Sequence, residues 1–144
     1  MSVAGISTRP VNALDLPRNE MAFRRRYQNL LLARKITTVF RPGDRIHPNW
    51  RGYVEGETVT ARVIEQIGSD ELGVPPLFNS IRIPIKIVKL DVKPIDSLGP
   101  EDFHGSSPDV TNSGSLESHL IGIYGKSVGE FGGQVTRIQF SYDT

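Results

Sequence analysis

The chain has 144 residues, 38% of them hydrophobic, which is enough to close one core and too little for two. It has no cysteine, so disulfides and thiolate metal sites are excluded, and its 14 glycines and 10 prolines favour turns and short strands over a helical bundle. The formal net charge of +1 is unevenly spread, with ten Arg or Lys against three acids in residues 1–52 and the opposite bias in the remainder.

Residues 1–17 mix Ser, Thr, Pro and Asn with isolated apolar positions and read as a loose arm, and residues 18–144 read as a single domain. After Pro17 the spacing predicts a helix of about fifteen residues, capped by Asn19, with Phe23, Tyr27, Leu30 and Leu31 as its apolar stripe. On such a helix the consecutive Arg24, Arg25 and Arg26 fan apart and cannot all reach one partner. Residues 36–41 are a β-branched strand signal ended by Pro42-Gly43. A second extended piece at 44–46 is broken by His47-Pro48-Asn49, and Trp50 and Tyr53 follow with Arg45 and Arg51 nearby.

Residues 57–67 alternate through Val59, Ala61 and Val63 and then change phase at Ile64, which predicts a strand with a bulge. A connection over 68–80 precedes the strongest strand signal, IRIPIKIVKLDVKPI at 81–95. There Ile81, Ile83, Ile85 and Ile87 face one way, and Val88, Leu90 and Val92 continue in the opposite phase. Pro84 has no N–H for a ladder, so that part is an edge or lies beside a bulge. A polar loop over 96–114 leads to a short helix capped by Ser115, with Leu116, Leu120, Ile121 and Tyr124 apolar, and residues 134–142 close the chain as a strand. The order helix, strands, helix, strand predicts an α+β protein built as a small, mostly antiparallel β-barrel with two main helices.

Chemistry narrows quickly. His47, His104 and His119 have no metal-ligand spacing and read as dispersed solvent-facing or capping side chains, so no metal and no cofactor are expected. GEFGG at 129–133 follows a helix and precedes a strand, the wrong order for a phosphate loop or a dinucleotide fingerprint, and no nucleophile elbow occurs. The longest apolar run is three to four residues, too short for a membrane, and the first residues lack the apolar segment of a secretory leader, so a cytoplasmic location is expected.

What remains is Lys35 and Thr38, where a helix hands over to a strand. A lysine that loses solvation there can serve as a base, and a threonine hydroxyl needs such a base to become a nucleophile. An exposed lysine beside a β-branched strand fits the same residues. Nine of the ten basic side chains in residues 1–52 are Arg, suited to bidentate phosphate contact. The two charged halves can also simply neutralise each other across the fold.

The run FRRRYQNLLLARKITTVFRPGDRI resembles the opening of ASCH domains, a PUA-like family, through Tyr27, Leu31-Leu32-Ala33, Arg34-Lys35, Thr38-Val39 and Gly43-Asp44. The likeness continues in VTARVIEQI, PIDSLGPEDF, SLESHLIGIYG and VTRIQFSY, and so covers most of residues 23–142. It implies a pseudo-barrel with a cleft beside the first helix, and RNA binding, RNA cleavage or nucleoside deacylation as activities. One branch of the family hydrolyses N4-acetylcytidine with a Lys, a Thr and a Glu. The first two match Lys35 and Thr38, while the glutamate falls near Ser106, leaving Asp109 as its substitute with Glu101 and Asp102 as alternatives.

Two readings follow. In the first, RNA or a nucleotide occupies a basic cleft, with Arg24, Arg34, Lys35, Arg41 and Arg45 on phosphates and Trp50 or Tyr53 stacking on a base. In the second, Lys35 as base activates Thr38 to deacylate an N-acylated cytidine-type nucleoside, with Asp109 as acid. An RNA-cleaving or protein-interaction module is a further alternative.

Overall fold

The computed structural model describes residues 17, 19–49, 51–67, 72, 74, 76–124 and 128–142. Burial alternates along Glu20–Arg24, where Met21 and Phe23 are covered and their neighbours are only partly so, and this segment forms strand β1. The helix expected from residue 19 is therefore corrected. Its first five residues are extended, a 3-10 turn takes Arg25–Tyr27, and α1 proper is only Gln28–Leu32. Phe23, Tyr27 and Leu31 suit a helical stripe, but Met21 and Phe23 also have period two, and pairing with a distant strand decides for extension.

The other strands are β2 (Thr38–Pro42), β3 (Thr58–Gln66), β4 (Leu77–Pro94) and β5 (Gln134–Ser141). They form one sheet in the order β1-β3-β4-β5-β2. The β1–β3 pair is parallel and the other three pairings are antiparallel, so the sheet is mixed. It is open: β1 and β2 are its edges, and no ladder joins them among the described residues.

The 18-residue β4 starts four residues earlier than its apolar alternation suggests and serves two neighbours in turn. Its residues up to Lys86 pair with β3, and those from Lys86 onward pair with β5. Pro84 lies in the first part, where only β3 flanks it, so its missing N–H costs no ladder bond. The register shifts between Ile87 and Lys89, which leaves Val88 out of the ladder and 56% exposed while Ile87 and Leu90 are both buried. That bulge is the expected change of phase. The break in β3 likewise falls between Arg62 and Gln66, around Ile64.

Side chains from all five strands meet in one core that includes Met21, Val39, Val63, Ile87 and Ile138, which requires the sheet to curl around it. Phe40 and Val135 belong to a second cluster with Phe103, Leu116 and Leu120. Helix α2 (Ser113–Tyr124) supplies the last two. Its cap is Asn112 and not Ser115. The Asn112 carboxamide oxygen accepts from the Ser115 N–H at 2.8 Å, and the Ser115 hydroxyl accepts from the Asn112 N–H at 3.1 Å, a reciprocal cap. Neither helix is long and apolar enough to cross a membrane. Of the expected N-terminal arm, only Pro17 lies within the described residues.

Candidate functional site

Because the sheet curls without closing, its two edges face each other across a cavity of about 440 Å³. β1 contributes Ala22, Phe23 and Arg24 to the wall, β2 contributes Thr38 and Arg41, and α2 contributes His119. Arg41 also spans the gap. Its guanidinium donates to the Ala22 carbonyl at 2.8 Å and lies 5.6 Å from the centre of the Phe23 ring. A planar, permanently charged fork thus does between the edges what a ladder does elsewhere.

One side of the cavity is the loop after β2. The Tyr53 N–H donates to the Arg45 carbonyl at 2.7 Å and the His47 N–H donates to the Tyr53 carbonyl at 3.0 Å, which draws the loop closed at its base. Gly52 is needed there, since a Cβ would meet the His47 backbone nitrogen at 2.5 Å. Arg45 is only 3% exposed, and its Nε donates to the Pro42 carbonyl at 3.0 Å. It places a permanent positive charge in the cavity wall with little water around it. The facing loop is anchored by Gly105, whose φ of +84° suits glycine and whose carbonyl accepts from the N–H groups of Thr37 and Thr38 at 2.9 and 3.1 Å.

A polar cluster closes one end. Asp109 accepts from Ser107 Oγ at 2.5 Å and from the Tyr27 hydroxyl at 2.9 Å. Burial pulls the Asp109 carboxyl upward, but these two hydrogen bonds, a backbone hydrogen bond and the charge of Arg26 together hold its pKa below the ordinary value. Burial, reinforced by Asp109, pushes the Tyr27 hydroxyl up. His119 Nδ1 lies 3.1 Å from Arg26 and 3.2 Å from the Tyr27 hydroxyl. An arginine only donates, so Nδ1 carries the lone pair and the ring proton sits on Nε2. Burial, joined by Arg26, Arg41 and Arg24 against the opposing pull of Asp109, lowers the His119 pKa to about 4. The ring is therefore a neutral donor in the cavity wall at neutral pH.

The structure brings Arg24, Thr38, Arg41, Arg45 and Tyr53 together around this cavity. Lys35 and Arg34 are exposed and do not line it, and Arg34 lies 5.8 Å from the centre of the Tyr142 ring. Thr38 is buried in the wall, with its hydroxyl donating to the His104 carbonyl at 2.8 Å. Trp50 lies outside the described residues. Among the candidate acids, Asp109 sits in the polar cluster and Glu101 is exposed. Asp102 is buried, accepts from Lys93 Nζ at 2.8 Å and from the Gly99 N–H at 2.9 Å, and holds its loop to the sheet. No group of three or more His, Asp or Glu fit to hold a metal occurs among the described residues.

The reading of the histidines as dispersed is corrected for His119, whose side chain is only 11% exposed. Its partners Tyr27 and Asp109 are 92 and 10 positions away, so no local spacing pairs it with the first. The hint lay in its position three residues after Leu116, next to the apolar face of an amphipathic helix.

No protein-family model matches the chain, and no curated protein does. A solved structure from Enterococcus faecalis, described as protein EF3133 of family-model DUF984, superposes with a TM-score of 0.49 at 10% identity, covering 83% of this chain and 71% of that one.

Proposed function

We propose that the protein is a nucleotide- or RNA-binding module that takes a base with its phosphate into the cavity between the sheet edges. One observation carries this. Arg24, Arg41, Arg45 and Arg51 line the same hollow as the rings of Phe23 and Tyr27. Guanidinium groups suit phosphate, aromatic faces suit a base, and the His119 N–H offers a hydrogen bond to a base acceptor. The one carboxylate in the described wall, Glu20, is already engaged by Arg62 at 3.0 Å and Arg82 at 3.5 Å. The volume falls within the usual range for small-ligand sites.

We read the curled sheet as the PUA-like pseudo-barrel of ASCH domains. The order of the motifs supports this, and so does the Arg41 bridge between the two edges. The deacylase form of the reading keeps Thr38 in the cavity wall, but its hydroxyl is engaged by a carbonyl and Lys35 stands outside. Binding is therefore placed ahead of turnover. Release of acetate from N4-acetylcytidine by the wild type, lost in Thr38→Ala, would reverse that order.

Ribonucleoside monophosphates titrated into labelled protein should shift the resonances of Tyr27, Tyr53 and His119. Arg24→Gln should weaken the complex by about tenfold, and affinity should fall as salt rises. Unmoved cavity resonances at millimolar nucleotide, or an affinity indifferent to salt, would refute the reading.

A further inference from the structure

A second depression of about 360 Å³ adjoins the cavity and shares Arg24, Ile64 and Ile123 with its wall. Arg25, Arg26, Ile67 and Gly122 complete its described lining. Although Arg25 pairs with Glu65 and Arg26 with Asp109, different partners as expected, the three consecutive arginines thus all border one groove. The cause is local. Arg24 is still extended, with ψ of 151°, and the tighter 3-10 turn begins only at Arg25.

The groove has an apolar floor of isoleucines and a cationic rim. The side chains of Arg25 and Arg26 are 64% and 59% exposed. Their carboxylate neighbours are Glu65 at 3.2 Å and Asp109 at 3.6 Å, pairs close to solvent that contribute little and that a phosphate can displace. Above helix α2 the space is open, since a Cβ on Gly122 would meet no atom within 4 Å.

We infer that this groove holds the phosphodiester backbone next to the nucleotide in the cavity, so that the ligand is a single-stranded polynucleotide and not a free nucleotide. The inference rests on the cavity reading above. Its chemistry is that of single-strand tracks, in which cationic side chains follow the backbone and apolar surface lies under sugar and base. A base can enter the cavity only when unstacked, which excludes an intact duplex.

Fluorescence anisotropy with a labelled mononucleotide and a labelled trinucleotide tests this. The trinucleotide should bind more tightly, with a salt slope steeper by about 0.7 for each added phosphate contact. Arg25→Gln should cut that advantage by several-fold. Gly122→Leu should do the same without changing charge, because it fills the groove from a helical position. Lys89→Gln, on a strand that gives no described residue to the groove, should leave the advantage intact. A deoxy trinucleotide should show the same gain, and a gain confined to RNA would overturn the phosphate assignment. A trinucleotide no tighter than the mononucleotide, or a gain that survives both groove variants, would overturn the inference and leave the cavity reading standing. If neither ligand binds, the cavity reading falls and this inference with it.

Discussion

Protonation of His119 should set much of the acid sensitivity of the fold. In an unfolded chain its imidazole ionises near 6.5, and in the folded protein only at about 4. Between those values the unfolded chain binds a proton that the native state excludes. The stability is therefore present in full above 6.5 and is lost progressively as pH falls toward 4. The interval corresponds to at most about 3 kcal/mol, and about 2 kcal/mol is expected once the ring's access to the cavity is discounted. The groups facing the ring are Asp109, Arg26, Arg41 and Arg24, and the three arginines oppose a second positive charge there. Urea denaturation should be followed from neutral pH down to about 4 for the wild type and for His119→Asn, which keeps an acceptor near Arg26 and cannot titrate. The difference between the two curves should narrow or reverse by about 2 kcal/mol in favour of the variant as pH falls. A constant difference, or a folded-state His119 titrating near 6.5 by NMR, would refute the reasoning.

Arg41→Met keeps an apolar stem but removes the bond to the Ala22 carbonyl, and should cost about 2 kcal/mol, read as a lowered urea midpoint with an unchanged slope. Gly105→Ala places a Cβ against Thr37 Oγ1 at a positive φ, and a loss of more than about 2 kcal/mol is expected by thermal unfolding. Asp102→Ala strips Lys93 and the Gly99 N–H of their shared acceptor and should cost about 2 kcal/mol, whereas Glu101→Ala next to it should change stability by less than about 0.5 kcal/mol.

The elements that were legible beforehand are those whose signal is local. Alternation through Ile81, Ile83, Ile85 and Ile87 marks a strand whatever it pairs with, and the reversal at Val88 announced the bulge. The ambiguous stretch was residues 19–27, where Met21 and Phe23 fit period two while Phe23, Tyr27 and Leu31 fit a helical stripe. Only the parallel partner β3, some forty positions later, resolves it. Four of the anticipated site residues, Thr38, Arg41, Arg45 and Tyr53, meet at the cavity because β2 and the loop after it carry them together, and Arg24 joins them from the opposite edge, β1.

By itself, then, the chain's pattern determined four of the five strands and where two of them bend, an α+β class, and a basic segment dense in arginine, because each depends on spacing within a few residues. Tertiary structure alone decided that β1 and β2 become opposite lips of one hollow, that Lys35 stands outside it, and that His119 joins Tyr27 and Asp109 at its end. Those facts depend on pairings between segments far apart in the chain, made favourable by apolar surface that all five strands bury together.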